Sequence, residues 1–123
     1  MSYAETYTID VTTASGVATA YSASIPHGRT LTIVYTKTDF AAGVDFTITT
    51  ETTAQNLWVE DNVNASTRRA PRQSTHDTTG VELTYTGDGD IPSDYIWVVN
   101  ERVKVVIAEG GDAKTGTFTV VVG

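Results

Sequence analysis

Apolar and polar residues alternate along most of this chain with the two-residue period of a β-strand, in which successive side chains point to opposite faces. The alternation is most regular in the last stretch, where apolar residues occupy every second position in 103–107 and again in 118–122. A turn containing Gly110 and Gly111 lies between these two segments. This spacing predicts a β-hairpin that ties the final residues into a sheet.

The same pattern recurs upstream. Further strands are expected at 7–11, 17–21, 31–35, 44–48, 57–59, 81–85 and 95–99. Residues 25–28 are expected to interrupt the sheet, because Pro26 cannot donate to a strand ladder and Gly28 relaxes the backbone. No segment of about ten residues or more has the 3.6-residue period of a helix, although a short turn near 91–97 fits the sequence.

About eight to ten short strands within 123 residues predict a single all-β domain over residues 1–123. The fold is expected to be an antiparallel β-sandwich or a jelly-roll-like barrel, and the pattern does not choose between them. Abundant threonine and valine agree with this class, because β-branched side chains suit a pleated surface better than a helix.

Composition excludes several classes of function. Cysteine is absent, which excludes a disulfide framework and thiolate metal sites. The net charge is −7 and the pI is about 4.5, which argues against nucleic-acid binding because that binding depends on clustered Lys and Arg. The sequence contains no secretory signal and no apolar run of the ~18 residues that a membrane span needs, so no membrane partner is expected.

Two groups of polar residues have the composition of a chemical site. Ser74, His76 and Asp77 are the residue types of a catalytic triad, but such near neighbours in one loop point in different directions. Asp88, Asp90 and Asp94 form an acidic turn, but the spacing does not match a calcium-binding EF-hand loop. We therefore expect no catalytic residues, no metal site and no cofactor, and the protein is not expected to be an enzyme.

Residues 60–79 form the longest segment without a regular period, and long loops often carry function. This segment contains Arg68, Arg69 and Arg72, the one local departure from the acidic balance. Arginine suits carboxylates and is enriched at interfaces, so one hypothesis is docking onto an acidic patch of a neighbouring subunit. Pairing with acids of the same chain, such as Glu60, is the equally weighted alternative.

Two further surfaces were considered. The N-terminal segment 2–7, with Tyr3 and Tyr7, is a candidate contact surface because exposed terminal strands readily pair with neighbours. Trp58 and Trp97 are candidates for a carbohydrate-binding platform, and packing in the core explains them equally well.

Three stretches together resemble a known family. They are residues 43–49, then 64–66 with 70–72 and His76, and finally 102–111 with 114–118. In order and separation they resemble a family of small proteins encoded in the structural-gene regions of tailed bacteriophages and prophages. The resemblance covers nearly the whole chain. Its residues are those of strands and turns rather than chemical signatures, so it indicates kinship more than activity.

The resemblance implies a virion structural protein, and within that class a head decoration (cement) protein that binds the major capsid protein. It implies a homo-oligomer, a dimer or a trimer, on the outside of a capsid that is assembled in the host cytoplasm. The acidic balance suits the capsid exterior better than its DNA-filled interior. A carbohydrate- or receptor-binding module displayed on the virion, or another minor head–tail component, is the alternative.

Overall fold

The computed structural model describes residues 4–84 and 92–123, and every regular element in these ranges is a β-strand. In chain order the strands are β1 (Glu5–Thr12), β2 (Ala18–Tyr21), β3 (Ile25–Lys37), β4 (Asp45–Thr50), β5 (Asn56–Glu60), β6 (Thr67–Arg69), β7 (Arg72–Ser74), β8 (Ser93–Tyr95), β9 (Trp97–Glu101), β10 (Val103–Ala108) and β11 (Thr115–Val122). Within the same ranges, no helix is long and apolar enough to cross a membrane. The expected all-β antiparallel class is confirmed, with eleven strands described rather than eight to ten.

The strands form two main sheets and a small ribbon. One sheet has the order β1-β11-β3-β6, and β9 pairs with the first part of β3. The other sheet has the order β2-β10-β4-β5. β7 and β8 form a separate two-stranded ribbon, and every pairing is antiparallel. The inward faces of the two main sheets pack against each other, as in a β-sandwich.

An aromatic cluster joins the sheets at the centre of the core. Phe46 on β4 meets Phe118 on β11, with ring centres 4.9 Å apart. It meets Tyr35 on β3 at 4.7 Å and Trp58 on β5 at 5.3 Å. All three contacts are edge-to-face, a geometry worth ~0.5–1.5 kcal/mol per pair beyond the burial of the rings. The two-residue period predicts inward positions for Tyr35, Phe46 and Phe118, and these three side chains are buried, as is Trp58.

The expected hairpin between 103–107 and 118–122 is wrong. β10 pairs with β2 and β4, whereas β11 pairs with β1 and β3, so the two strands lie in opposite sheets. The chain crosses between the sheets at Gly110, whose amide donates to the Gly16 carbonyl oxygen at 3.0 Å. A Cβ atom at Gly110 would lie 2.9 Å from Cγ2 of Thr13. For β10 and β11 the alternation predicted the buried faces correctly, but it carried no information about strand partners.

The interruption expected at residues 25–28 is also wrong, because β3 begins at Ile25 and runs through Pro26. The pairs that flank the proline, Ile25 with Glu101 and His27 with Val99, carry the ladder with β9. Proline is tolerated in a strand where its missing donor is not needed. The break therefore falls before Ile25, between the end of β2 and the start of β3.

Three other expectations are wrong for the residues that the structure describes. The segment 60–79, expected to be irregular, contains the short strands β6 and β7. Residues 81–84 form no strand, because their one backbone pairing is an isolated bridge between His76 and Glu82, and Val81 and Leu83 are exposed. Residues 92–97, where a turn was weighed, contain β8 and the start of β9. The expectations for residues 85–91 lie outside the described residues.

Candidate functional site

β9 and the first part of β3 present a mixed apolar and basic face to solvent. Trp97 and Val99 on β9 are 49% and 56% exposed, whereas Val98 between them is fully buried. The register places Trp97 opposite Arg29 and places Val99 opposite His27. Directly opposed residues of an antiparallel pair share a face of the sheet. These four outward side chains therefore form one continuous patch.

The β7–β8 ribbon extends this patch through Tyr95. Arg72 on β7 lies opposite Tyr95 on β8, and its guanidinium carbon is 3.8 Å from the centre of the tyrosine ring. The guanidinium carbon of Arg29 is 4.9 Å from the same ring centre. Both distances are in the range of cation–π interactions. The arginine–aromatic surface thus consists of His27, Arg29, Arg72, Tyr95, Trp97 and Val99.

Neither Arg29 nor Arg72 forms an ion pair with an acidic side chain of the described residues, because both ion pairs found there involve other arginines. Their polar contacts are with the backbone. Arg29 Nε donates to the Gly123 oxygen at 3.1 Å, and Arg72 Nη1 donates to the Pro71 oxygen at 2.7 Å. Among the described residues, each guanidinium group therefore has N–H donors without an acceptor, and such donors suit a carboxylate of a partner.

The turn between β4 and β5 holds β9 in place at two points. Gln55 Nε2 donates to the carbonyl oxygen of Trp97 at 3.0 Å. Glu101, at the other end of β9, accepts hydrogen bonds from the amides of Thr52 and Thr53 at 2.7 and 3.0 Å. Burial of Glu101 opposes its charged form, but the hydrogen bonds from Thr53 and Thr52 outweigh this effect and lower its pKa. A charged Glu101 thus fixes the strand that carries Trp97.

Of the three arginines predicted from the sequence, Arg69 makes the intramolecular pair that was the alternative to docking. Its Nε and Nη2 atoms donate to the two carboxylate oxygens of Glu60, each at 2.9 Å. Its guanidinium carbon lies 5.3 Å from the centre of the Trp58 ring. Hydrogen bonding with Arg69 lowers the pKa of Glu60 and raises that of Arg69. Arg69 thus covers the side of the core formed by Trp58.

Arg68 and Arg72 point away from this pair. Arg68 is exposed and lies opposite Val34 on β3, and its side chain takes part in none of the hydrogen bonds or ion pairs of the described residues. Arg72 belongs to the arginine–aromatic surface. The structure therefore separates the three arginines instead of bringing them together in one cluster, and their contact with a capsid subunit stays a prediction.

The predicted N-terminal contact residues have different positions. Tyr3 lies outside the described residues. Tyr7 on β1 is half-buried and packs against the core. Its hydroxyl group donates to Glu5 Oε2 at 2.7 Å, and this hydrogen bond raises the pKa of Tyr7. A role of Tyr7 in partner binding stays a prediction.

The residues weighed for catalysis are not joined by hydrogen bonds. Asp77 Oδ1 accepts from the amide and hydroxyl groups of Thr79 at 2.8 and 2.7 Å, and from the amide of Val81 at 3.0 Å. These bonds lower the pKa of Asp77, with the Thr79 hydroxyl contributing most. Its carboxylate therefore stabilises its own turn. None of the hydrogen bonds in the described ranges joins Ser74, His76 and Asp77 to one another.

The acidic residues weighed for calcium are described only in part. Asp88 and Asp90 lie outside the described residues. Asp94 lies on β8, where its Oδ1 atom accepts a hydrogen bond from the Tyr95 amide at 2.7 Å. Within 4–84 and 92–123, no group of three or more His, Asp or Glu side chains could hold a metal ion.

The two tryptophans differ sharply in exposure. Trp58 is 4% exposed and packs against Phe46 and Phe118, so core packing explains it. Trp97 is 49% exposed, which is the exposure that a binding platform requires.

The sequence predictions missed His27, Arg29, Tyr95 and Val99 as members of the surface. The pairing of β3 with β9 brings Arg29 and Val99 together from segments far apart in the sequence. Tyr95 joins them through its contacts with Arg29 and Arg72. One sign was present in the sequence. Residues 97–99 are apolar on both faces of the strand, so the outward face either needs a cover or serves as a contact.

No protein-family model matches the chain, and no curated protein matches it.

Proposed function

We propose that this protein is a bacteriophage virion structural protein, and specifically a head decoration protein that binds the major capsid protein lattice from outside. The observation that carries the proposal is the arginine–aromatic surface. Arginine and aromatic residues are enriched at protein interfaces and account for much of their binding energy. Here they are grouped with exposed Val99 on a chain whose net charge is −7. The resemblance of three sequence stretches to phage structural proteins supports the same class.

The chemistry of the surface favours a partner with carboxylates beside an apolar pocket. Arg29 and Arg72 offer guanidinium groups held close to Tyr95, and a guanidinium group binds a carboxylate through two parallel hydrogen bonds. Trp97 supplies the large apolar side chain that anchors an interface. On a capsid this modest contact is repeated at every lattice position, so avidity offsets the weakness of each single contact if the protein is oligomeric.

Co-sedimentation with capsids that lack this protein tests the proposal. We expect saturable binding at a fixed ratio to the major capsid protein. Replacing both Arg29 and Arg72 with glutamine should weaken binding about tenfold or more, because truncated interface hot spots cost at least ~1–2 kcal/mol. A variant with Lys104 and Lys114 both replaced by glutamine loses the same charge elsewhere and should bind normally.

The outcomes of this experiment separate the two parts of the proposal. Absence of wild-type binding to heads contradicts the decoration role. Equal binding by wild type and the Arg29→Gln, Arg72→Gln variant contradicts the assignment of the contact surface. An Arg68→Gln variant, tested alongside, determines whether the outer face of the β3–β6 pair also contacts the capsid.

A carbohydrate- or receptor-binding module displayed on the virion is the second candidate, and the exposure of Trp97 favours it. Aromatic rings on a sheet face can stack against sugar rings. A glycan that binds here should change the fluorescence of wild type but not that of a Trp97→Phe variant, because Trp58 is buried in the core. Fluorescence that does not respond to a panel of glycans counts against this candidate.

A further inference from the structure

β1 (Glu5–Thr12) is the longest edge strand of the two main sheets, with eight residues. It pairs with β11 on one side through eight consecutive residue pairs without a bulge. On its other side no strand of the described residues pairs with it. A strand in this position presents a row of free backbone N–H and C=O groups, which can pair with another chain.

The hydrogen-bond pattern identifies which backbone groups face the open edge. The amide of Thr13 donates to the Lys114 oxygen at 2.8 Å, so the backbone of residue 13 points toward the partner segment. The backbone N–H and C=O groups of successive residues in a strand point to opposite sides, so those of residues 7, 9 and 11 also point toward β11. The residues whose N–H and C=O groups point to the open edge are Thr6, Thr8, Asp10 and Thr12.

β1 lacks most of the features that usually prevent edge pairing, and its two charged residues are Glu5 and Asp10. Natural edge strands are kept short, bulged, or marked with lysine or proline. β2 has four residues and β6 has three. β5 pairs with β4, and the register of this pair shifts between Ile48 and Thr49 of β4. β1 contains no proline, glycine or lysine. The carboxylate of Asp10 accepts from the Thr117 hydroxyl at 3.0 Å, so it is held over its own sheet and does not block the edge.

We propose that β1 pairs edge to edge and antiparallel with β1 of a second copy of this chain, about a two-fold axis at Ile9. This register places Thr6 opposite Thr12 of the partner copy and Thr8 opposite its Asp10. Every edge-facing backbone group of β1 then has a partner. The dimer joins two five-stranded sheets into one continuous sheet.

The side chains favour this register over its neighbours. A shift by two residues in one direction places Asp10 opposite Asp10, and like charges directly opposed are destabilising. A shift in the other direction leaves Thr12 opposite residue 4, which precedes the strand. A shift by a single residue would bring edge-facing groups against groups already bonded to β11. The two-fold arrangement also makes the contact self-complementary, as closed dimers require.

The mass of the purified chain in solution tests the pairing, without any capsid. Sedimentation equilibrium over a range of concentrations should show the mass rising from 13.2 kDa toward twice that value. Thr8→Pro removes an N–H that β1 does not use within its own sheet, and proline is tolerated at such edge positions. We expect this variant to raise the dissociation constant about tenfold or more. Thr8→Val keeps the N–H and should dimerise like wild type.

Cysteine cross-linking tests the register on a chain that has no cysteine of its own. In a Thr6→Cys, Thr12→Cys double variant, each new thiol faces its counterpart on the partner copy at a separation of ~5.5 Å between Cα atoms, which a disulfide can span. Oxidation should therefore give a covalent dimer. Thr6→Cys alone should give none, because its opposite residue is Thr12.

Each result has a definite meaning. Dimerisation that Thr8→Pro weakens, together with cross-linking by the double variant alone, supports the proposal. A wild-type chain that stays monomeric at all concentrations overturns it, as does a double variant that dimerises without cross-linking. If Thr8→Pro fails to fold, as judged by circular dichroism, the cross-linking result decides. The proposal does not depend on capsid binding, which the arginine variants test separately.

Discussion

Replacing Glu101 should reveal how strongly the β4–β5 turn is held against β9. The carboxylate is 6% exposed, and it accepts from the amides of Thr52 and Thr53 and from the Thr53 hydroxyl at 2.8 Å. Loss of a hydrogen bond to a charged group costs ~1–3 kcal/mol. Thr52 and Thr53 are exposed, so water can replace part of what is lost. We therefore expect Glu101→Ala to lower the free energy of unfolding by about 2–3 kcal/mol.

Glu101→Gln separates the charge of this residue from its shape. The amide oxygen can still accept from both backbone N–H groups, but the charge and the second acceptor are lost. We expect a cost of about 1 kcal/mol, which is a fall of ~4 °C in Tm for a domain of this size.

The effect of Glu101→Gln should depend on pH. The pKa of Glu101 in the folded protein is lower than its ordinary value of 4.5. The charged form therefore stabilises the fold above pH 4.5, and this contribution is lost as the pH falls through the folded-state pKa. The difference between wild type and Glu101→Gln should be largest at neutral pH and should shrink in acid.

Urea unfolding followed by tryptophan fluorescence, at neutral and at acidic pH, measures these differences. Glu82→Gln is the matched control, because Glu82 is exposed, and it should change stability little at either pH. Equal stability of wild type and Glu101→Gln at neutral pH would refute the argument that a charged Glu101 holds the turn. A difference that persists unchanged in acid would refute the charge-based explanation in particular.

Two further substitutions test the core. Tyr35 is fully buried, and this burial raises its pKa to about 12. Its hydroxyl group has no hydrogen-bond partner among the described residues, so Tyr35→Phe should raise the free energy of unfolding by about 1 kcal/mol. A lower stability of this variant in thermal denaturation would contradict the prediction. A Cβ atom at Gly28 would lie 2.2 Å from Cγ1 of Val122. Gly28→Ala should therefore lower the free energy of unfolding, measured in urea, by about 1–3 kcal/mol. An unchanged free energy of unfolding would show that β3 and β11 can move apart to make room for the methyl group.

The faces of most strands could be predicted from the sequence, but most of the pairings could not. β2 is an exception among the faces, because Val17 and Tyr21 are exposed whereas Ala18 and Ala20 pack against the core. Alternation placed Ile9, Val105 and Val120 on inward faces, and all three are buried. The alternation of apolar and polar residues does not indicate which strand pairs with which. For this reason it suggested a hairpin where the chain crosses between sheets at Gly110.

The candidate site was harder to predict than the fold. Arg68 and Arg69 were grouped by their closeness in sequence, but they lie on a strand, where neighbouring side chains point to opposite faces. A strand prediction at 67–69 would have separated them. The arginine–aromatic surface depends on the pairing of β3 with β9 and on the contacts of Tyr95 with Arg29 and Arg72. Contacts of this kind are set by tertiary structure and leave little local signal.

The position of β11 constrains how the protein is made. β11 is the last strand in chain order, yet it lies between β1 and β3 and pairs with both. In a nascent chain that lacks β11, the strands β1 and β3 have no strand between them and do not pair with each other. The sheet that buries their apolar side chains is then incomplete. This sheet therefore cannot be completed until β11 has been synthesised. Such distant pairings are typical of slow-folding β-proteins, whose unfinished chains are prone to aggregate and depend most on chaperones.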